Sequence, residues 1–89
     1  MENKELIRMR KEIDSIDETL MSLLNKRVGL AIAIGKVKIK ENLPIQNKER
    51  EAEVLSKTQK FDNSNFVCSI FTKIIEESRK IQEEKWKSQ

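Results

Sequence analysis

The feature that most constrains the fold is a stretch without proline, from about Lys4 to Glu41, in which apolar residues recur at helical spacing. Steps of three and four residues place these side chains on one face of a helix of roughly five heptads. We term this face the seam; its members are Leu6, Met9, Ile13, Ile16, Leu20, Leu23, Leu30, Ile34 and Val37. The repeat skips one position, residue 27, which is an arginine.

The seam is too long for the rest of the chain to cover. A helix of roughly 36 residues is about 54 Å long, whereas a compact chain of this size has a diameter of about 30 Å. We therefore expect a second copy to cover the seam in a homodimer. Gly29 and Gly35 lie inside this helix at a cost of about 1 kcal/mol each relative to alanine. They indicate either close approach of a helix or ligand, or local fraying.

Two shorter helices follow. Pro44 disfavours helical angles at Leu43 and so ends the first helix. Asn47 is a good N-cap for a second helix from about Lys48 to Lys60, and Ser64 for a third that reaches Trp86. We predict an all-α fold of three helices, one very long, in a single domain of residues 1–89.

Composition excludes several classes of function. The chain has no histidine and one cysteine, so zinc sites, intrachain disulfides and His-dependent nucleophiles are not expected, and no metal is predicted. The N-terminus lacks an apolar signal core and no stretch approaches 18 apolar residues, so we expect a cytoplasmic protein with no membrane segment. The net charge of +3 comes from interspersed signs, which does not favour nucleic acid as a partner.

Polar residues interrupt the inner face of the first helix. Arg27 occupies a seam position, and Lys38 lies about 20° away around the helix and about 16 Å along it. These two long side chains can hold one small molecule between them. Arg10 points roughly 80–100° away from both, and in a dimer it can reach the partner's site.

The other helices carry similar interruptions. In the third helix, Ser78 and Gln82 continue the stripe that Ile74 begins, at i+4 and i+8. In the second helix, Asn47, Arg50 and Glu51 share one face near the N-terminus. Since a buried cation costs several kcal/mol without a negative partner, inward-facing cations with neutral and acidic hydrogen-bonding groups indicate a pocket for a dianion. These three helices thus supply one candidate site.

Each residue also has a simpler interpretation. Arg27 can set the register of a coiled coil, and Lys38 suits the negative end of a helix. Arg10 can pair with Asp14, and Arg50 with acidic neighbours. Ser78 and Gln82 are solvated in most helices, and Glu51 can be a first-turn acid. All of these coincidences together are much less expected than any single one.

The pattern resembles the all-helical, AroQ-type chorismate mutases over nearly the whole chain. The matching segments follow one another in order across the three predicted helices, with family-like spacing. They are Leu6–Asp17, Leu23–Arg27, Ile34–Lys38, Leu43–Ile45, Asn47–Glu51 and Ile74–Ser78 with Gln82.

The resemblance implies an interlocked dimer with two equivalent sites, no cofactor, and conversion of chorismate to prephenate. In that family pattern, Arg27 and the partner's Arg10 bind the two substrate carboxylates. Lys38 and Gln82 donate to the ether oxygen whose bond breaks, and Glu51 accepts from the substrate hydroxyl. The backbone around Asn47 lies beside this contact, and Arg50 and Ser78 complete the polar wall.

One departure and two alternatives remain open. Many family members have Asp at the position of Asn47; both residues cap a helix, but a carboxylate contact is lost. An isochorismate–pyruvate lyase shares the fold and a similar cationic pocket, although the Arg50–Glu51 pair favours the mutase. A non-catalytic helical dimerisation or regulatory module, in which Arg27 only sets register, is the second alternative.

Overall fold

Three helices account for most of the chain. The computed structural model describes residues 3–86, so the predicted domain of residues 1–89 extends past the described part at both ends. Helix α1 spans Lys4–Lys40, α2 spans Lys48–Ser56 and α3 spans Ser64–Trp86. The all-α prediction is confirmed, and the described residues include no strand. None of the helices in this part of the chain is long and apolar enough to cross a membrane.

Side-chain and backbone caps define the ends of α1. At the start, Asn3 Oδ1 accepts from the Glu5 N–H at 2.7 Å. At the end, Asn42 adopts a left-handed φ of 58°. The Asn42 N–H then donates to the Ile39 carbonyl at 3.2 Å and the Leu43 N–H to the Lys38 carbonyl at 2.7 Å. These two bonds form a Schellman motif, which asparagine tolerates better than most residues other than glycine.

The second helix is shorter than the sequence predicts. It ends at Ser56, and Lys57–Lys60 form a 3₁₀ turn instead of continuing the α-helix. The hydroxyls of Ser56 and Thr58 each donate at 2.7 Å to the carbonyl three residues earlier, on Glu53 and Leu55. Such local bonds compete with α-helical geometry and favour the tighter turn. Thr58 is buried there, which holds the turn against the rest of the molecule.

The third helix begins slightly differently from the prediction. Ser64 is its first helical residue, and the Asn63 carbonyl accepts the first helical bond from the Val67 N–H at 3.0 Å. The cap position is therefore Asn63 and not Ser64.

Helix α3 packs closely on the second half of α1. Ala31 and Gly35, one turn apart, are the buried residues of α1, and their small size lets α3 approach. Gln82 Nε2 donates to the Ala31 carbonyl at 2.7 Å, and Trp86 Nε1 donates to the Ile32 carbonyl at 2.9 Å. A Cβ at Gly35 would lie 2.8 Å from Trp86 Cδ1. Close approach of a helix, one of the two predicted explanations, thus accounts for Gly35.

The first half of α1 extends away from the other helices. Every described residue from 3 to 26 is exposed except half-buried Asp17. The fold measures 59 × 25 × 14 Å, with a radius of gyration of 17.1 Å against about 12 Å for a compact chain of this length. All nine seam residues remain 41–60% exposed. A single chain leaves its apolar seam uncovered.

Candidate active site

A cavity of about 310 Å³ lies where the second half of α1, the start of α2 and the second half of α3 meet. We term it the central cavity. Its size suits a small molecule. Its lining contains seven of the eight predicted site residues, namely Arg27, Lys38, Asn47, Arg50, Glu51, Ser78 and Gln82. The apolar remainder of its wall includes Leu30, Ile34, Ile45, Val54 and Ile75.

Arg27 reaches from α1 to α3. Its Nη1 donates to Ser78 Oγ at 2.9 Å, and its guanidinium lies 5.7 Å from the centre of the Phe71 ring. The hydrogen bond and the cation–π contact hold the charged group in a half-buried position. A guanidinium has five N–H donors, so this arrangement leaves capacity for a carboxylate. Arg27 therefore crosses between helices, which a purely register-setting seam residue need not do.

Lys38 anchors the loop that follows α1. Its Nζ donates to the Ile45 carbonyl at 2.7 Å, and the side chain is half-buried. An ammonium group has three donors, so two remain for other acceptors. The Schellman motif that includes the Lys38 carbonyl turns the chain back towards this side chain. Lys38 and Arg27 thus line the same cavity from one helix, at the spacing that the sequence predicts.

The start of α2 contributes both a cap and a carboxylate. Asn47 Oδ1 accepts from the Arg50 N–H at 3.0 Å, so asparagine performs the capping expected of this position. The Arg50 guanidinium forms an exposed ion pair with Glu53, as the simpler interpretation of this residue predicts. Glu51 is half-buried, and its Oε1 accepts from Gln46 Nε2 at 3.4 Å.

Helix α3 presents a hydroxyl and a carboxamide to the cavity. Ser78 Oγ accepts from Arg27 and donates to the Ile74 carbonyl at 2.7 Å. Gln82 is only 8% exposed, so the interpretation that it is a solvated surface residue is wrong. One of its two amide N–H groups is used by the Ala31 carbonyl, which fixes the carboxamide and leaves the second N–H available. A neutral donor is thereby held in place beside two cations.

Sequence reasoning missed Arg79. This residue lines the cavity, and its Nη1 lies 2.7 Å from Glu51 Oε2. A signal was present, because Ile75, Arg79 and Gln82 follow one another at i, i+4 and i+7 on the inner face of α3. The adjacent residue, Ser78, was assigned to the inner face of α3 instead.

Arg10 is the predicted site residue that does not line the cavity of its own chain. It lies on the exposed first half of α1, seventeen residues or about 26 Å before Arg27 along the helix. Its role at the site of a partner chain stays a prediction of the sequence.

Positive charge dominates the cavity. Its lining carries the cations Arg27, Lys38, Arg50 and Arg79 against the single carboxylate of Glu51. Outside the central cavity, hydrogen bonds from Lys73 and then Lys80 lower the pKa of the exposed Glu77 carboxyl. The excess of cations suits an anionic guest with more than one negative group. Apolar side chains also line the cavity, and attraction between opposite charges is stronger beside such low-dielectric groups than in bulk water.

Comparison with known proteins identifies relatives of this arrangement. Residues 9–83 match the family model described as chorismate mutase type II. A bifunctional chorismate mutase/prephenate dehydratase from Aquifex aeolicus is 54% identical over 54 residues, which are 61% of this chain and 15% of that protein. The protein of the same name from Escherichia coli K12 is 32% identical over 79 residues, which are 82% of this chain and 20% of that protein.

A solved structure is also similar. A conserved hypothetical protein from Pyrococcus furiosus superposes with a TM-score of 0.81 at 44% identity, over 91% of this chain and 99% of that one. The chain spans about a fifth or less of the length of the bifunctional relatives described above.

Proposed function

The chain belongs to the chorismate mutase type II family, and from this premise we propose that its central cavity converts chorismate to prephenate. The observation that carries the proposal is the meeting of Arg27, Lys38 and Gln82 at one cavity, from two different helices. A coiled-coil module in which Arg27 only sets register has no need of a buried carboxamide beside it.

The reaction requires geometry and electrostatics more than reactive groups. In this Claisen rearrangement one ether C–O bond breaks as one C–C bond forms, within a single molecule. No base, nucleophile or redox partner takes part. The enzyme must hold a folded conformer of the substrate and stabilise the negative charge that develops on the ether oxygen.

Each proposed role follows from the chemistry of the side chain. Arg27 offers paired donors to one substrate carboxylate. Lys38 and Gln82 each keep donors beyond the ones that position them, and these donate to the ether oxygen. Glu51 accepts from the substrate hydroxyl. Because Lys38 and Gln82 are already held by the Ile45 and Ala31 carbonyls, they need little reorganisation when the charge develops.

The remaining lining residues have supporting roles. Ser78 holds the Arg27 guanidinium, and the α2 backbone capped by Asn47 borders the site. Arg50 adds positive charge at the cavity edge. No cofactor or metal enters this proposal, and neither nucleic acid nor a membrane is a proposed partner. The cytoplasmic location stays a prediction of the sequence.

We further propose that the active unit is a homodimer in which Arg10 of one chain completes the partner's site. The exposed seam supports this, because nine large or medium apolar side chains in line are unusual on an isolated chain. A groove of about 680 Å³ also lies between α1 and α3, and apolar residues line it together with charged ones. They include Leu24, Val28, Ile70 and Ile81 on the one hand and Lys73, Lys80 and Glu84 on the other. Arg10 projects from the exposed half of α1 that carries the first six seam residues, Leu6 to Leu23.

A substrate assay tests the proposed activity. Purified protein is offered chorismate and, separately, isochorismate, and the products are identified by chromatography and NMR. The mutase proposal predicts prephenate from chorismate. Pyruvate released from isochorismate at a higher kcat/KM would instead identify a lyase, and consumption of neither substrate would support a non-catalytic module.

Mixing two inactive variants tests the shared site. Arg10→Ala and Arg27→Ala homodimers each lack one arginine in both sites. When the two chains are unfolded and refolded together, random pairing gives mixed dimers with one intact site, so about one site in four is complete. Activity near a quarter of wild type is expected. A mixture as inactive as its two components would contradict the donation of Arg10.

A further inference from the structure

The contact between Arg79 and Glu51 differs in kind from the ion pairs within the helices, such as Arg8–Glu12. It joins α3 to α2 across 28 positions of sequence, with an N–O distance of 2.7 Å. The two side chains are only 27% and 25% exposed. By contrast, the Arg8–Glu12 pair lies within one helix and has both side chains more than 60% exposed. Exposed pairs of that kind contribute little, whereas a half-buried pair between helices fixes both groups.

The pair engages one side of the Glu51 carboxylate. Oε2 accepts the short bond from Arg79, while Oε1 accepts the longer, 3.4 Å bond from Gln46 Nε2. A carboxylate has about four lone-pair sites, so it can still accept a proton donor from a guest in the cavity. Glu51 sits on the first turn of α2, and of these two bonds to its carboxylate the one from Arg79 is much the shorter. Arg79 therefore does more than Gln46 to fix the orientation of the carboxylate.

We propose that Arg79 is a positioning residue, which acts on the substrate through Glu51 by holding its carboxylate in the orientation that accepts the substrate hydroxyl. This inference rests on the proposed mutase function. It differs from the alternative in which Arg79 is one more cation that binds the substrate directly. The two alternatives predict different behaviour when Glu51 is altered.

A double-mutant cycle separates them. The variants are Arg79→Met, Glu51→Gln and the pair combined, with Lys85→Met as the control that removes an exposed cation of the same helix outside the central cavity. Arg79→Met should lower kcat by about ten- to a hundredfold, because small displacements of a catalytic group are costly, while KM changes less. In the Glu51→Gln background the same change should lower kcat by about threefold or less. The control should stay close to wild type.

Arg79→Lys provides a second test, which is compared directly with wild type and so does not depend on the methionine variant folding well. A lysine keeps the charge for Glu51 but loses the planar fork, so this variant should keep a substantial part of the wild-type kcat. Thermal unfolding followed by circular dichroism shows whether each variant is folded at the assay temperature.

The outcomes distinguish this inference from the proposed function. Wild-type protein that consumes no chorismate overturns both. Active wild-type protein in which the Arg79 and Glu51 effects multiply independently overturns the positioning role and leaves the mutase function standing. Loss of substrate affinity alone in Arg79→Met, with kcat unchanged, assigns Arg79 to direct binding and also overturns it.

Discussion

Two glycines on the same helix allow one substitution to be tested in opposite surroundings. An alanine Cβ at Gly29 would meet no atom within 4 Å among residues 3–86, apart from its own neighbouring stretch of helix. Replacing glycine by alanine inside a helix is worth about 0.8–1 kcal/mol when nothing obstructs it. We therefore expect Gly29→Ala to stabilise the fold by about that amount, or to raise Tm by about 4–8 °C.

The same change at Gly35 should have the opposite sign. Its Cβ would lie 2.8 Å from Trp86 Cδ1, 3.0 Å from Trp86 Nε1 and 3.2 Å from Gln82 Cγ. Reaching ordinary contact requires the Trp86 ring to move by about 0.6 Å or more, and overpacking of this kind costs about 1–3 kcal/mol. The shift also weakens the bonds from Gln82 and Trp86 to α1, worth about 1 kcal/mol each. After the gain in helix propensity, a net loss of about 1–3 kcal/mol remains.

Activity should follow the displacement of Gln82. Moving a donor by a fraction of an ångström reduces kcat by about tenfold or more, while Gly29→Ala should leave kcat nearly unchanged. Both variants are measured by thermal unfolding at one protein concentration, because association shifts Tm, and then by chorismate turnover. Equal stabilisation by the two alanines, with normal turnover in both, would refute the close approach of α3 at Gly35.

Three further predictions concern single residues. Gln82→Glu should be active mainly at acid pH, because an ionised carboxylate repels the charge that develops on the ether oxygen; a pH profile of kcat as flat as wild type would count against the donor role. Arg27→Leu should lower kcat/KM by about a hundredfold or more, even if the apolar residue stabilises the dimer, and retained turnover would favour a register-setting arginine. Asn42→Val should lower the free energy of unfolding by about 1–2 kcal/mol while Asn42→Gly does not, because Asn42 has a left-handed φ; equal denaturation midpoints would contradict this.

The spacing of apolar residues predicted most of the fold. The seam predicted α1 to within one residue at its end, since a run of apolar residues at steps of three and four has few other solutions. The end of α2 was predicted wrongly, because the Ser56 and Thr58 hydroxyls bond to carbonyls three residues earlier, and no apolar period reports such bonds. Local hydroxyl chemistry decided that boundary.

The site was predictable where a polar residue broke an apolar stripe. Arg27, Ser78 and Gln82 stand at positions where the pattern calls for apolar side chains, and all three line the central cavity. Arg79 was not predicted, because arginines are common on a charged helix and its partner Glu51 lies on another helix. Pairing across helices depends on the packing angle, which sequence spacing does not specify.

The explanation for the glycines was only partly available from the sequence. Both glycines carry the same propensity cost, yet only at Gly35 does a side chain of this chain fill the space that a Cβ needs. Which glycine admits a neighbour depends on the rotation of α1 relative to α3. Trp86 and Gln82 determine that rotation through their bonds to the α1 backbone.

The most direct test is the turnover of chorismate by a matched pair of lysine variants on α1. Lys38 lines the central cavity, whereas Lys36 is exposed and outside its lining. Consumption of chorismate is followed by its ultraviolet absorbance for wild type, Lys38→Ala and Lys36→Ala. We predict that Lys38→Ala lowers kcat by at least about a hundredfold, as loss of one preorganised donor does, and that Lys36→Ala stays within about twofold of wild type. Equal turnover by both variants would contradict the proposal that cations lining the central cavity accelerate the rearrangement.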